Sequence, residues 1–346
     1  ARTSDPNSIY SSVTLFREYL RLRTVHPEPD YDAALRFLDG IAEELGLPIK
    51  KIEVCPGRVV SVMTWEGTNP SLKTILLNSH TDVVPVYQEH WKYDAFAAVK
   101  DSEGNIFARG TQDMKSVTIQ YIEAVRRLKA EGKKLMRTIH LMFVPDEEVG
   151  GHKGMETFVK LPEFQELNIG FALDEGLANP GEAFTVFYGE RNPWCEYSVL
   201  YHGKDSPPLA RGGSATALGT RAQFEEQIKQ WCKEAGEGIT YDFAQKHMNQ
   251  NMTSTDESDP WWNAFSTTCK AMNMTLEKEI FPAATDSRFI RAVGLPAIGF
   301  SPMNRTPILL HDHNEFLNEQ VFLKGIQVYE RLVVALANVP AMTCDA

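Results

Sequence analysis

Imidazoles and carboxylates recur in five short stretches of the 346-residue chain: His80-Thr81-Asp82, Asp113, Glu147-Glu148, Glu175, and His311-Asp312-His313. The first four each fall just past a segment predicted to be a strand, so folding can bring them to one end of a sheet. A two-metal site needs about three protein ligands per metal with one carboxylate shared, or roughly five residues. His80, Asp113, Glu148, Glu175 and His311 supply that number. Mixed imidazole and carboxylate donors suit zinc, cobalt or manganese and not calcium, which takes oxygen ligands only. Paired metals acidify a water between them, and a nearby carboxylate can take its proton as it attacks a carbonyl. Glu147 is the candidate for that base. Adjacent like charges raise one another's pKa unless a cation compensates, so Glu147-Glu148 is easier to rationalise beside a metal. Neighbours in an extended segment point opposite ways, so both serve one site only if the strand has ended, and Gly150-Gly151 agrees. Residues i and i+2 of a strand share a face, which lets Asp82 reach the back of the His80 ring and fix its tautomer. His311 and His313 share a face for the same reason, and position alone does not choose between them.

The elements that must position these residues alternate in type. Apolar residues at helical spacing predict amphipathic helices over 11–22 and 31–45, and a longer one over 117–128. Short apolar runs predict strands at 59–64, 74–77, 140–144 and 169–173. The pattern resumes with a helix over 224–232, a strand over 239–243, a helix over 261–272, a strand over 297–300 and a final helix over 314–339. Strands alternating with helices predict an α/β domain with a largely parallel sheet, whose ligands gather beyond the carboxyl ends of the strands. Residues 206–220 (SPPLARGGSATALGT) carry two prolines and three glycines and read as a linker.

Composition narrows the partners. Lys and Arg number 35 against 46 Asp and Glu, a net charge of −11 that disfavours nucleic acid and anionic membrane surfaces. No apolar stretch approaches the length of a membrane span, and no apolar segment follows the N-terminus as in a secretory signal. The missing initial Met reads as a trimmed start. Cys55, Cys195, Cys232, Cys269 and Cys344 are odd in number with no C-x-x-C pair, so the expectation is a reducing, cytoplasmic compartment.

The runs LLNSHTDVVP, ARGTQDMK, FVPDEEVGGHKG, FALDEG and LLHDHNE, in this order and spacing, resemble the co-catalytic zinc amidohydrolases and peptidases, which include carboxypeptidases, dipeptidases and aminoacylases. DPWWNAF, PAATDSRFIRAVG and FSPMNRTPILLHDH point to the aminoacylase branch. The resemblance covers about residues 8–194 and 221–340. It implies a three-layer α/β domain, with a mostly parallel mixed sheet and helices on both faces. It also implies two zinc ions bridged by Asp113 and a water, with His80 and Glu175 completing one site and Glu148 and His311 the other. Glu147 is then the general base, and Asp82 orients His80. The implied reaction converts an N-acyl-L-amino acid, a small-molecule substrate, and water into a carboxylate and a free L-amino acid.

One departure matters. The family inserts a lid or dimerisation domain of roughly 100 residues between the halves of its zinc domain. Here only residues 195–219 occupy that gap, so 1–194 and 220–346 read as one discontinuous catalytic domain. In the family the lid supplies most of the homodimer contact and a histidine, in a Gly-x-Pro-Gly-His context, that holds the substrate carbonyl across the dimer. That motif is absent, and His202 in Tyr201-His202-Gly203-Lys204 lacks the proline turn. Losing one oxyanion donor typically costs about 10²–10³ in rate. The expectation is an intact metal site, impaired turnover and a weakened or absent dimer. The alternatives are a dipeptidase or carboxypeptidase of the same family, and a zinc-binding fragment without turnover.

Bland readings stand beside these. Asp113 or Glu175 taken singly reads as a surface carboxylate or helix cap, and Trp261-Trp262 as core packing. Thr285, Asp286 and Arg288 offer a hydroxyl, a carboxylate and a guanidinium to substrate. Arg288 either reads a substrate carboxylate bidentately or forms an ion pair that fixes its loop. His152 reads as a loop residue beside the site, His90 as a satisfied surface or core histidine. His26, His140 and His247 have no evident role.

Overall fold

The structure is a computed structural model that describes residues 8–191, 194–201, 221–236, 239–246, 249 and 251–345. In chain order it opens with helices α1 (Ser8–Leu20) and α2 (Tyr31–Leu45), then strands β1 (Ile49–Cys55), β2 (Arg58–Trp65), β3 (Thr74–His80), β4 (Val99–Lys100) and β5 (Asn105–Phe107). Helix α3 (Lys115–Ala130), strand β6 (Ile139–Val144), short helices α4 (Met155–Phe158) and α5 (Pro162–Gln165), and strands β7 (Ile169–Asp174) and β8 (Phe184–Glu190) follow. Next come β9 (Trp194–Tyr201), α6 (Arg221–Ala235), β10 (Ile239–Lys246), α7 (Pro260–Ala271), β11 (Leu276–Phe281), α8 (Ser287–Ala292), β12 (Ala297–Phe300), β13 (Phe316–Asn318) and α9 (Glu319–Ala337).

Eight strands form one mixed sheet in the order β1-β2-β6-β3-β7-β12-β8-β11. The central strands β6, β3, β7 and β12 run parallel, while β1, β2 and β8 pair antiparallel with their neighbours. Every residue of β3 and β6 is buried, because helices cover both faces. Ile75, Leu77, Leu141 and Phe143 face α1, α2, α3, α7 and α9, where Phe16, Leu38, Val117, Phe265 and Leu332 share their core. The alternate residues Leu76, Met142 and Val144 face Met155, Phe158, Phe289 and Ile290 of α4 and α8. Period-two alternation through a sheet buried on both sides thus gives the three layers of the expected fold class. Trp261 and Trp262 lie in the first core as packing residues.

Three elements differ from the sequence reading for local reasons. The final helix begins at Glu319 rather than near 314, because 316–318 pairs with β5 and the Asn318 side chain then caps the helix by accepting from Gln320 N. Strands β1 and β11 escape the periodicity because their Lys and Glu residues face solvent and leave little apolar signal.

The chain divides into two compact units: Ala1–Gly189, Asn251–Glu279 and Thr285–Ala346 in one, Glu190–Gln250 and Ile280–Ala284 in the other. The sequence reading gave everything after 219 to the catalytic domain. Here α6 and β10 belong to the smaller unit, because β10 pairs antiparallel with β9 from Ile239↔Tyr201 to Lys246↔Trp194. A pairing across some 40 residues leaves no trace in periodicity. The 206–220 linker, His202 and His247 lie outside the described residues.

Candidate metal centre

Strand ends and loops deliver the donors, all within the larger unit. His80 is the last residue of β3, Glu175 follows the last residue of β7, and Glu147 and Glu148 sit in a tight turn three residues past the end of β6. Asp113 lies in the loop before α3, and His311 in the loop between β12 and β13. His80 Nε2 lies 2.9 Å from Asp113 Oδ1 and 3.4 Å from Glu175 Oε1. His311 Nε2 lies 2.9 Å from both Asp113 Oδ2 and Glu148 Oε2. The five residues therefore form two triads, His80–Asp113–Glu175 and Asp113–Glu148–His311, each with donor atoms within 4.8 Å of one another. Asp113 gives one oxygen to each. His313 stands in neither and packs its ring 4.8 Å from that of His90.

The charges fit cations. Burial raises the pKa of Glu147 and Glu175 well above the usual carboxylate range and that of Glu148 to about 7. Burial opposes protonation of the two imidazoles, yet the carboxylates around them win and raise both, His311 to about 11. Burial likewise opposes ionisation of Asp113, but hydrogen bonds from His311 and His80 hold it well below its ordinary value. Glu148 Oε1 is buried with no hydrogen-bond partner. Several carboxylates gathered out of water around two imidazoles are a donor set that divalent metals of the zinc type satisfy.

Asp82 acts differently from its expected role. The strand ends at His80, so the shared-face rule no longer applies, and the Asp82 carboxylate lies 3.8 Å from His80 Nδ1. Its main-chain carbonyl takes the Nδ1 proton instead, at 2.9 Å, which leaves Nε2 facing Asp113. The carboxylate accepts from Glu147 N at 3.2 Å and Glu148 N at 3.1 Å, and pairs with His26 Nε2 at 2.8 Å. Asp82 thus fixes the turn that carries both glutamates, and His26, which has no visible role in the sequence, braces Asp82.

Asp146 braces the same turn from the other side. It adopts φ +62°, a conformation a side-chain-bearing residue holds only when its surroundings impose it. Tyr31 Oη and Arg58 Nε donate to its two carboxylate oxygens at 2.6 Å each, and its own N–H donates to Tyr31 Oη at 2.9 Å. Tyr31, Arg58, Asp146 and His26 were invisible as site residues because each acts through contacts far along the chain.

The expected substrate loop is partly committed. Thr285 and Asp286 are buried. Thr285 Oγ1 accepts from Ser287 N, and Asp286 Oδ2 accepts from Asn78 Nδ2 at 3.4 Å. Burial raises Asp286 to about 7. Arg288 Nη2 donates to the Gly150 carbonyl at 2.9 Å, tying its loop to the glutamate turn, while its Nε has no partner. His152 pairs with Glu156 on the surface, and His140 is buried between Thr64 and the Leu167 carbonyl, its pKa lowered to about 4 by burial.

The sequence model of peptidase family M20/M25/M40 matches residues 76–335, a span that holds both triads and Glu147. The chain belongs to that family. Mouse (Mus musculus) aminoacylase-1 is 54% identical to this M20 chain over 402 residues, covering 98% of each. Among solved structures, human carnosine dipeptidase 1 superposes with a TM-score of 0.74 at 12% identity, covering 96% of this chain and 97% of its own. The Bacillus subtilis YXEP protein, a dinuclear metal-binding peptidase from the M20 family, gives 0.65 at 13% identity, covering 97% of this chain and 100% of its own. At such identities the two structures establish the mixed α/β fold.

Tyr31→Phe tests the brace on this M20 site. It leaves Asp146 N and Oδ1 without their buried partner, and such orphaned groups cost about 1–3 kcal/mol. Denaturant unfolding should register a loss in that range, and steady-state kinetics a fall in kcat of roughly tenfold, the rate equivalent of about 1.4 kcal/mol. Unchanged stability would show that the contact is idle.

Proposed function

We propose that this M20 protein is a metal-dependent aminoacylase, hydrolysing N-acyl-L-amino acids to a carboxylate and a free L-amino acid. The reading is carried by the pair of triads sharing Asp113, beside a buried Glu147, in a chain that matches aminoacylase-1 from end to end. Two zinc ions, held by His80, Asp113 and Glu175 and by Asp113, Glu148 and His311, would polarise the scissile carbonyl and acidify the attacking water. The protein's own groups do the rest. Glu147, buried beside both triads, takes the proton from water and passes it to the leaving amine. Asp82 and Asp146 hold the turn on which it sits. Arg288, with its Nε unpartnered, is the group to read the substrate carboxylate, and Thr285 and Asp286 shape the loop behind it.

Residues between 190 and 250 stand where the family inserts its lid, and we read them as a shortened form of it. The aligned length supports this: its 402 positions exceed the 346 residues of this chain, so the matched part of aminoacylase-1 has at least 56 residues without a counterpart here. With the lid histidine motif also missing, turnover should be impaired and the homodimer weakened. The donor chemistry supports zinc, and Cys55 and Cys269, which stand as thiols, support a cytoplasmic setting. Among the described residues no helix is long and apolar enough to cross a membrane.

Hydrolysis of N-acetyl-L-methionine by zinc-loaded and chelated protein, alongside a panel of dipeptides, tests the proposal. Chelator-sensitive release of methionine, faster than cleavage of any dipeptide, is the expected result. Preferred dipeptide cleavage would move the assignment to a dipeptidase. A folded, zinc-bound protein without turnover would make it a metal-binding core whose chemistry needs the missing segment.

A further inference from the structure

The two triads are not held alike. His80 and Glu175 come from the ends of β3 and β7, which pair directly in register through Leu76↔Ala172 and Leu77↔Leu173. His311 sits instead on a loop, at φ +60°, with its side chain 51% exposed. Buried polar contacts that the proposed reaction does not use hold that loop against the Asp113 segment. The Glu315 side chain is fully buried. Its Oε1 accepts from Gln112 N at 2.6 Å and Asp113 N at 3.3 Å, and its Oε2 from Gly110 N at 3.0 Å and Arg109 Nη1 at 2.8 Å. Arg109 also donates to the Asp312 carbonyl, the residue after His311, at 3.0 Å. The Gln112 amide makes the reverse connection: Nε2 donates to the Pro307 and Phe316 carbonyls at 3.0 and 2.9 Å, and Oε1 accepts from Leu309 N at 2.9 Å.

We propose that Glu315 and Gln112 are positioning residues that lock Asp113 to His311, and so set the metal affinity of the Asp113–Glu148–His311 site while leaving the His80–Asp113–Glu175 site nearly untouched. The inference rests on the two-metal reading above. A buried carboxylate gathering backbone N–H groups fixes a loop with charge-assisted bonds that a neutral amide cannot reproduce, since its NH₂ end meets donors with a donor. Separating the two loops misplaces two of three donors in one triad. In the other triad it disturbs Asp113 alone, while the sheet holds the remaining pair.

Cobalt(II) titration of the metal-free full chain, followed by visible absorption and chelator competition, resolves the two equivalents. In Glu315→Gln the second equivalent should bind about 10–100-fold more weakly with an altered spectrum, the usual cost of losing support behind a ligand. The first should keep its spectrum and its affinity. Glu148→Gln, which removes a donor of that site, should reproduce the pattern. A uniform loss of both equivalents would reduce Glu315 to a structural residue, and an unaltered second equivalent would overturn the proposal outright. If Glu315→Gln does not fold, Gln112→Met decides: it removes only the side-chain connections, and a second equivalent bound as tightly as in the unmodified chain refutes the inference. An unmodified chain that takes up fewer than two cobalt ions refutes the two-metal reading before any variant is compared.

Discussion

Glu147→Gln is expected to lower kcat about 10³–10⁴-fold, the upper part of the range for general acid–base catalysis, with both metals retained. The amide fills the same space at the same buried position, so the turn braced by Asp82 and Asp146 has no reason to move. What disappears is the ability to accept a proton from water and return it to the leaving amine. Glu147 belongs to neither triad, whereas Glu148, one residue on, belongs to the second. The neighbours should therefore part company: Glu148→Gln loses a metal equivalent, and Glu147→Gln loses only rate. KM should stay within a few-fold in the Glu147 variant, because its role is confined to the transition state. Metal content by emission spectrometry alongside steady-state kinetics separates the two. A Glu147 variant short of one metal would make that residue a ligand and leave the reaction without its base.

The divergence of those neighbours shows how far the sequence reaches. Two adjacent acids flanked by an apolar run and two glycines already require that the strand stop before them, and β6 ends at Val144. His80 and Glu175 were legible for the same reason: strand ends in an α/β domain converge, and metal-type donors at those ends have one place to meet. Choosing His311 over His313 needed the resemblance, since spacing put both on one face. The supporting residues could not be read at all. Tyr31 reaches Asp146, His26 reaches Asp82, and Glu315 reaches Asp113 through tertiary contacts, and each alone looks like an ordinary helix, loop or surface residue. Asp82 shows a subtler failure: the shared-face argument does not reach past the strand end, where its carbonyl and not its carboxylate meets the His80 ring.

Removing the metals should abolish turnover and leave a protein whose stability falls as pH rises. In the metal-free chain Glu148 is raised from 4.5 to about 7, chiefly by burial, and Glu147 and Glu175 move the same way. An acid whose pKa is higher folded than unfolded holds a proton in the native state that the unfolded chain has released. The stability it contributes is complete below about 4.5 and lost as pH climbs through about 7, of the order of 3 kcal/mol for Glu148. His311, raised from 6.5 to about 11, extends the same slope above neutrality, damped because its ring is half exposed. Asp113 runs oppositely, but its pKa is depressed, so its contribution is lost only in strongly acidic solution. Bound divalent cations compete with those protons, so metal affinity, and with it the stabilisation from metal, grows as pH rises. The expected record is a melting temperature of the chelated protein that declines from pH 5 to pH 8, and a gap to the reloaded protein that widens over the same interval. Scanning calorimetry at matched ionic strength reads both. A chelated protein that gained stability with pH, or a gap that stayed constant, would mean that the buried carboxylates are not where the metals bind, and the assignment of both triads would fall together.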